Sequence, residues 1–317
     1  MRSIMKQFTI AAIALLVSFW AEAGALRTED GSFSTQAPDS SIGSQDSIQN
    51  LSTKYLERFN KFIQQRDTIF AKSVLSDWTE DIPNDPELYV AWFSYYYNTA
   101  LVEQAIVSKR PSQSPNDTNM EMTDSTGAVT GYIVTRRIFL PTQSAKAIEA
   151  INKGLENSPQ RLDMRLYKII MLGNCARWSD YADEIILLLK EMDGKRYTWQ
   201  MSGGKEYAGA EEYVKEAVEE WQNNLFRMDS DGSNMRRIAE SVLARDQKNI
   251  SALNFLAISY LKDKEYSKAV QWLKKADKYS PNNAMILQNL ALSYKLLGDR
   301  KNYALYDAKA KSLQNQQ

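Results

Sequence analysis

The chain has 317 residues, with Lys and Arg numbering 39, Asp and Glu 39, 44% hydrophobic residues, one cysteine and no histidine. Without histidine there is no Ser-His-Asp triad, no His-ligated zinc and no HExxH metalloprotease site, and a single thiol allows neither an internal disulfide nor a CxxC pair. The balanced charge provides no basic footprint for a polyanion, so no nucleic-acid partner is expected, and with no phosphate-cradling glycine motif no cofactor is either.

At the N-terminus, MRSIMKQ carries Arg2 and Lys6, FTIAAIALLVSFW is uncharged and apolar, and Ala21 and Ala23 supply the small residues of a cleavage site. This is the pattern of a secretory signal peptide over 1–23, cleaved after Ala23. The apolar run is shorter than the roughly 20 residues a spanning helix needs. The product is therefore expected to be periplasmic or secreted, with no transmembrane anchor after cleavage. Residues 24–46, rich in Ser, Gly, Asp and Gln, cannot bury enough apolar surface to offset their ordering entropy and read as a flexible leader.

From Leu51 onward the sequence predicts two or three amphipathic helices, the last ending near Ser108. Trp92, Phe93, Tyr95, Tyr96 and Tyr97 recur at helical spacing, which favours packing over a ligand platform. A different pattern follows. In RPSQSPNDTNMEMTDSTGAVTGYIVTRRIFLPT, Met120 and Met122 alternate with polar residues, GYIVTRRIF is β-branched and aromatic, and Asp124 to Gly127 offers a turn. A β-hairpin at about 111–140 is predicted, and it must lie on the helices or on a partner, because an isolated hairpin is marginal in water.

Helical periodicity returns in AKAIEAINKGLENSPQ and in RLDMRLYKIIMLGNCARWSDYADEIILLLKEM, where Arg165 and Lys168 occupy places that periodicity assigns to apolar residues. Cys175, beside Leu172, Ala176 and Trp178, is expected to be a small buried hydrophobe. The next stretch, GKRYTWQMSGGKEYAGAEEY, breaks the pattern. Its Tyr197, Trp199 and Tyr207 beside Gly203 and Gly204 either stack on a ligand or fold back over a helix groove, the latter being favoured. The acidic pairs of EEYVKEAVEEWQ read as a solvated helix face. RMDSDGSN fails as a calcium loop because Ile238 stands where a carboxylate is required, so Asp231 or Ser233 is read as a helix cap.

Residues 250–283 then place Leu253, Leu256, Ala257, Tyr260, Ala269, Leu273, Ala276 and Pro281 where a repeat of about 34 residues, two helices and a turn, needs its large, small and terminating residues. On these residues the chain resembles a tetratricopeptide-repeat (TPR) protein. A second copy follows with Leu287, Leu290, Ala291, Tyr294, Gly298 and Ala310 in phase and Tyr303 at a small-residue place, as in a terminal repeat. In the same phase, Ala147, Ile151, Gly154 and Pro159 mark the second helix of an earlier unit whose first helix is missing in register.

The resemblance implies an all-α, TPR-like helical solenoid with one β-hairpin insertion: degenerate repeats over 47–230 and regular ones over 231–317. With the N-terminal pattern, the hairpin and the phrase NSPQRLDMRLYK, the chain is similar to uncharacterised exported bacterial TPR proteins, a resemblance that implies no activity. The groove such a fold presents would carry Ser251, Asn254, Ile258, Leu261 and Lys262, then Met285, Gln288, Leu292, Lys295 and Leu296. Of the residues with which TPR domains clamp a C-terminal carboxylate, Asn289 alone is matched, so the mixed groove suits an amphipathic helix better. Expected partner-binding residues are Asn254, Ile258, Gln288, Asn289, Leu292, Tyr132 and Trp199. The expected function is a non-enzymatic protein-protein interaction scaffold of the bacterial cell envelope, holding an envelope protein or peptide. The alternative is a periplasmic or surface glycan- or peptide-binding module.

Overall fold

In the computed structural model of the protein, the described residues are 40–114, 117–194 and 196–314. The stretch read as a signal peptide, and most of the leader, lie outside them. The chain divides into a short unit, Met1–Ser47, and a helical body, Ile48–Gln317.

Twelve α-helices are present among the described residues: α1 (Ser40–Gln64), α2 (Thr68–Asp81), α3 (Pro86–Ala100), α4 (Pro141–Asn157), α5 (Leu162–Asn174), α6 (Trp178–Asp193), α7 (Ala210–Met228), α8 (Ser233–Arg245), α9 (Ile250–Lys262), α10 (Tyr266–Tyr279), α11 (Ala284–Leu297) and α12 (Arg300–Gln314). α1 starts inside the expected leader. Between α3 and α4 run β1 (Leu101–Ser108), β2 (Thr118–Thr123) and β3 (Val129–Phe139), an antiparallel sheet in the order β1-β3-β2.

Two backbone devices recur and define the repeating unit. At the first, the amide of a residue in left-handed conformation bonds three residues back and the next amide bonds five back, the Schellman closure of a helix end. It appears at Arg66, Ala176, Lys264 and Gly298, each two residues before a helix begins. For Lys264 the bonds run from its N–H to Leu261 O at 3.1 Å and from Glu265 N–H to Tyr260 O at 2.8 Å. Ile82, Ser158, Asp246 and Ser280 mark the second, each capping the C-terminus of a helix with the next helix starting four residues later. There Asp85, Asn249 and Asn283 accept first-turn amides with their side chains, satisfying donors that the helix itself cannot.

The first device joins α1/α2, α5/α6, α9/α10 and α11/α12; α3 and α4 are joined instead through the sheet, and α7 and α8 by the short turn at Asp229. The first helix missing from the earlier unit is α3, separated from α4 by the sheet. Leu101 pairs with Phe139, and the Leu140 amide bonds Ala100 O at 2.8 Å, so the sheet leaves and rejoins the helix pair at one point. The segment expected to stay helical to Ser108 ends its helix at Ala100 and continues as β1. Its Val102, Ile106 and Val107 are β-branched, and β3 supplies a ladder along its whole length. The predicted hairpin is present as β2 and β3. Its turn is Asp124 to Gly127, where Gly127 takes φ 84° and Asp124 accepts amides from Thr126 and Ala128.

The core runs along the pairs. Leu253, Leu256, Ala257, Ala269, Leu273 and Ala276 are all buried. At the other end Tyr55, Phe59, Val74, Leu75, Trp78 and Leu88 form one cluster across α1, α2 and α3. The aromatic run of α3 is packing material: Phe93 stacks on Tyr167, Tyr97 meets Phe139 edge-on, and Trp92 donates to Thr79 Oγ1 at 3.1 Å.

Candidate functional site

The residues assigned to the expected groove lie on α9 and α11, the first helices of the last two pairs. They divide into those the fold consumes and those it leaves free. Asn254 is 3% exposed. Its Oδ1 accepts from Asn289 Nδ2 at 2.7 Å, joining α9 to α11, and its amide reaches the Met285 sulfur at 3.8 Å. It is therefore an inter-repeat tie, because an amide buried at that depth must find its partners inside the protein. Lys262 is likewise engaged: its Nζ donates to Asp229 O at 2.6 Å, at the C-terminus of α7, where a cation is favoured.

What remains outward is apolar with a polar margin. Met285, Leu292 and Leu296 are exposed on α11, with Leu292 and Leu296 each at 45%, while Ile258 and Leu261 on α9 are half-buried and Gln288 is exposed. Positions 285, 292 and 296 are seven and four residues apart and so form a stripe along one side of the helix.

Trp199 and Tyr132 lie elsewhere. Trp199 is 8% exposed, edge-on to Tyr197, and its carbonyl accepts the Tyr207 amide at 2.8 Å. It fills the loop instead of offering its ring, which corrects its place among partner-contacting residues; the loop folds back over the helices. Tyr132 is half-buried on β3, opposite Ser108 and Glu121.

The 196–209 loop has a structural task that sequence reading missed. Gln200 O accepts the first amide of α5, from Leu162, at 2.8 Å, in place of a side-chain cap. Glu87, in the first turn of α3, accepts from Arg161 Nη1 at 2.6 Å, from Ser202 Oγ at 2.8 Å and from the Gly203 amide at 2.8 Å. Arg161, 1% exposed, also grips Asp163 with two parallel bonds of 2.8 and 2.7 Å. Burial works against its charge, but Asp163 and Glu87 more than compensate and hold the guanidinium above its ordinary pKa. One signal was available: Arg161 stands where other pairs have Asp or Asn.

A second buried network explains the charged residues at apolar places in α5. Arg165 donates to Glu184 at 2.9 Å and forms an ion pair with Glu191 at 2.6 Å, and Lys168 forms an ion pair with Glu184 at 2.7 Å. These ion pairs stand beside buried aliphatic residues such as Ile169, Leu172, Ile185 and Leu188 on α5 and α6. Cys175 is half-buried at the C-terminus of α5, not fully buried as expected. Asp231 accepts the Ser233 amide and hydroxyl, at 2.8 and 2.6 Å, just ahead of α8, whose cap position is Gly232. These bonds hold its carboxyl below the usual range.

No family model matches the chain, and no curated protein does. Solved structures do. One is MamA, 18% identical over 55% of this chain and 84% of that one, with a TM-score of 0.36. Another is PilW, described as a type IV pilus biogenesis factor, 13% identical over 83% of this chain and 93% of that one, at 0.36. A third is a tetratricopeptide repeat protein from Parabacteroides merdae, 10% identical over 82% of this chain and 79% of that one, at 0.36. The paired helices, their recurring turns and the buried alanines at α9/α10 carry the repeat plan in the chain's own geometry: the fold is TPR-like, with a three-stranded sheet set inside one of its helix pairs.

Proposed function

We propose that the protein is a non-enzymatic interaction scaffold of the bacterial cell envelope, and that the outward stripe on α9 and α11 holds an amphipathic segment of a partner protein. The observation that carries this reading is the exposed row Met285, Leu292 and Leu296 beside Ile258 and Leu261. These are large apolar residues left outward by helices whose other sides are buried, a surface that a helix-in-groove contact would cover. The rim of Gln288 and Lys295 would set orientation. Placement in the envelope is drawn from Arg2, Lys6, the apolar run and Ala21/Ala23. No helix among the described residues is long and apolar enough to cross a membrane. Stacking on a glycan loses its best aromatic member with the burial of Trp199.

The test is recovery of partners from envelope extract by wild type and by a Leu292→Asp/Leu296→Asp variant, with Ile69→Asp as a distant surface control. A protein captured by wild type and the control, and reduced at least tenfold by the groove variant, supports the reading. Equal recovery by all three, or recovery of oligosaccharide alone, refutes it.

A further inference from the structure

The sheet has two edges of different character. β2 is six residues long, and its pairing shifts register between Met122 and Thr123, the kind of irregularity that blunts an edge. β1 is eight residues long and pairs with β3 from Leu101 to Ser108 without a shift. Its other side pairs with no strand among the described residues. No proline or lysine interrupts it, and its one charge, Glu103, is matched within the sheet by Arg137 at 3.6 Å. On one face Val107, Ile133 and Met120 are cross-strand neighbours in a single row. Val107 is 74% and Met120 63% exposed. A regular edge thus offers unpaired backbone groups beside exposed apolar side chains, a template for another strand.

We propose that this strand is β1 of a second copy, so that two chains join their sheets antiparallel about a two-fold axis into one continuous six-stranded sheet. Such an axis sets residues of the same sheet face opposite each other. With Ile106 facing Ile106 on the axis, Ala105 faces Val107, Gln104 faces Ser108, and Glu103 faces Lys109, twice by symmetry. Glu103, the one charge within β1, then meets a charge of opposite sign. The two Val107 side chains fall on neighbouring rungs of one face, so the two Val107–Ile133–Met120 rows lie side by side across the seam. Centring the axis on Ala105 instead sets Glu103 against Val107, a carboxylate against an apolar side chain within the strand itself, which favours the first register. This pairing does not depend on the groove reading.

Sedimentation of the full chain over a range of concentrations tests the proposal. Wild type is expected to show a reversible dimer, and Ile106→Lys, which sets two like charges face to face, half that mass with an unchanged helical circular dichroism spectrum. In a Cys175→Ser background, Ile106→Cys is expected to cross-link on mild oxidation, since facing Cα atoms in an antiparallel ladder lie about 4.5–5.5 Å apart, within disulfide reach. Glu121→Cys, on the β2 edge, is expected not to. A wild type that stays monomeric at about 100 µM, a dimer that survives Ile106→Lys, or equal cross-linking at both edges overturns the proposal; the tested range should bracket that concentration, which corresponds to an affinity of only ~5–6 kcal/mol.

Discussion

Lys264, Ala176 and Arg66 hold φ of 62°, 53° and 59°, the conformation that Gly298 takes at 83° in the last pair. A side chain there costs about 1–2 kcal/mol, because Cβ crowds the following carbonyl oxygen. Glycine relieves this but gives back part of the gain through its larger unfolded-state entropy, about 0.4–1 kcal/mol. Ala176→Gly and Lys264→Gly, both at exposed positions, are therefore expected to raise stability by about 0.5–1 kcal/mol each. Urea denaturation monitored by circular dichroism checks this, and a lower midpoint in both variants would contradict it. Gly232 has a different constraint: a Cβ there would collide with the Ser259 carbonyl oxygen, so its smallness lets the start of α8 meet the backbone of α9. Single residues were only partly legible in the sequence. The apolar and small positions of α9 and α10 were, since helical periodicity dictates which side is buried. Asn254 was not, because its burial depends on Asn289, 35 residues away.

Helices hold to one another by different chemistry along the chain. At α1/α2 a phenol is used: Tyr55 donates to Asp81 Oδ2 at 2.5 Å, and this bond, with burial and the Asp81 charge, pushes the Tyr55 pKa from 10.0 up to about 12. The folded chain thus favours the neutral phenol. The contribution is complete below the unfolded value of 10.0 and is lost as pH rises through about 12. Between those limits wild type is expected to lose more stability than Tyr55→Phe, which has no such proton. Paired urea titrations at pH 9 and pH 12 measure the difference, and equal losses would show that the bond carries no linkage. At α5/α6 buried ion pairs are added to the aliphatic contacts, and at α3/α5 the Glu87–Arg161–Asp163 network fastens the 196–209 loop. Buried pairs of this kind are specific more than strong, because desolvation offsets most of their attraction. Sequence periodicity registered Arg165 and Lys168 as departures from a repeat. It could not supply their partners, which lie on α6.

For the whole molecule, the placement of the sheet matters most. The pair α3/α4 is one unit opened by residues 101–140, and the ends of that insertion are already adjacent, with Leu140 N bonded to Ala100 O at 2.8 Å. Replacing 102–138 with a short Gly/Asn turn is expected to leave the helical circular dichroism per helical residue and a cooperative melt intact, because closing a short loop costs less than closing a long one. It should also abolish the sedimenting dimer. Loss of cooperative folding would show that the sheet holds the pair together instead of interrupting it.

The sequence alone determined that the chain is a stack of helix pairs with a β insertion, since periods of 3.6 and 2 and the spacing of small residues are local properties that survive in one dimension. It also located the hairpin turn, because Asp124 and Gly127 are chosen by backbone conformation. Only the tertiary structure decided that α3 and α4 are partners across forty intervening residues, that a third strand completes the sheet, and that Trp199 and Asn254 face inward. Each of these is decided by a contact between segments distant in the chain, where burial and backbone hydrogen bonding override local pattern.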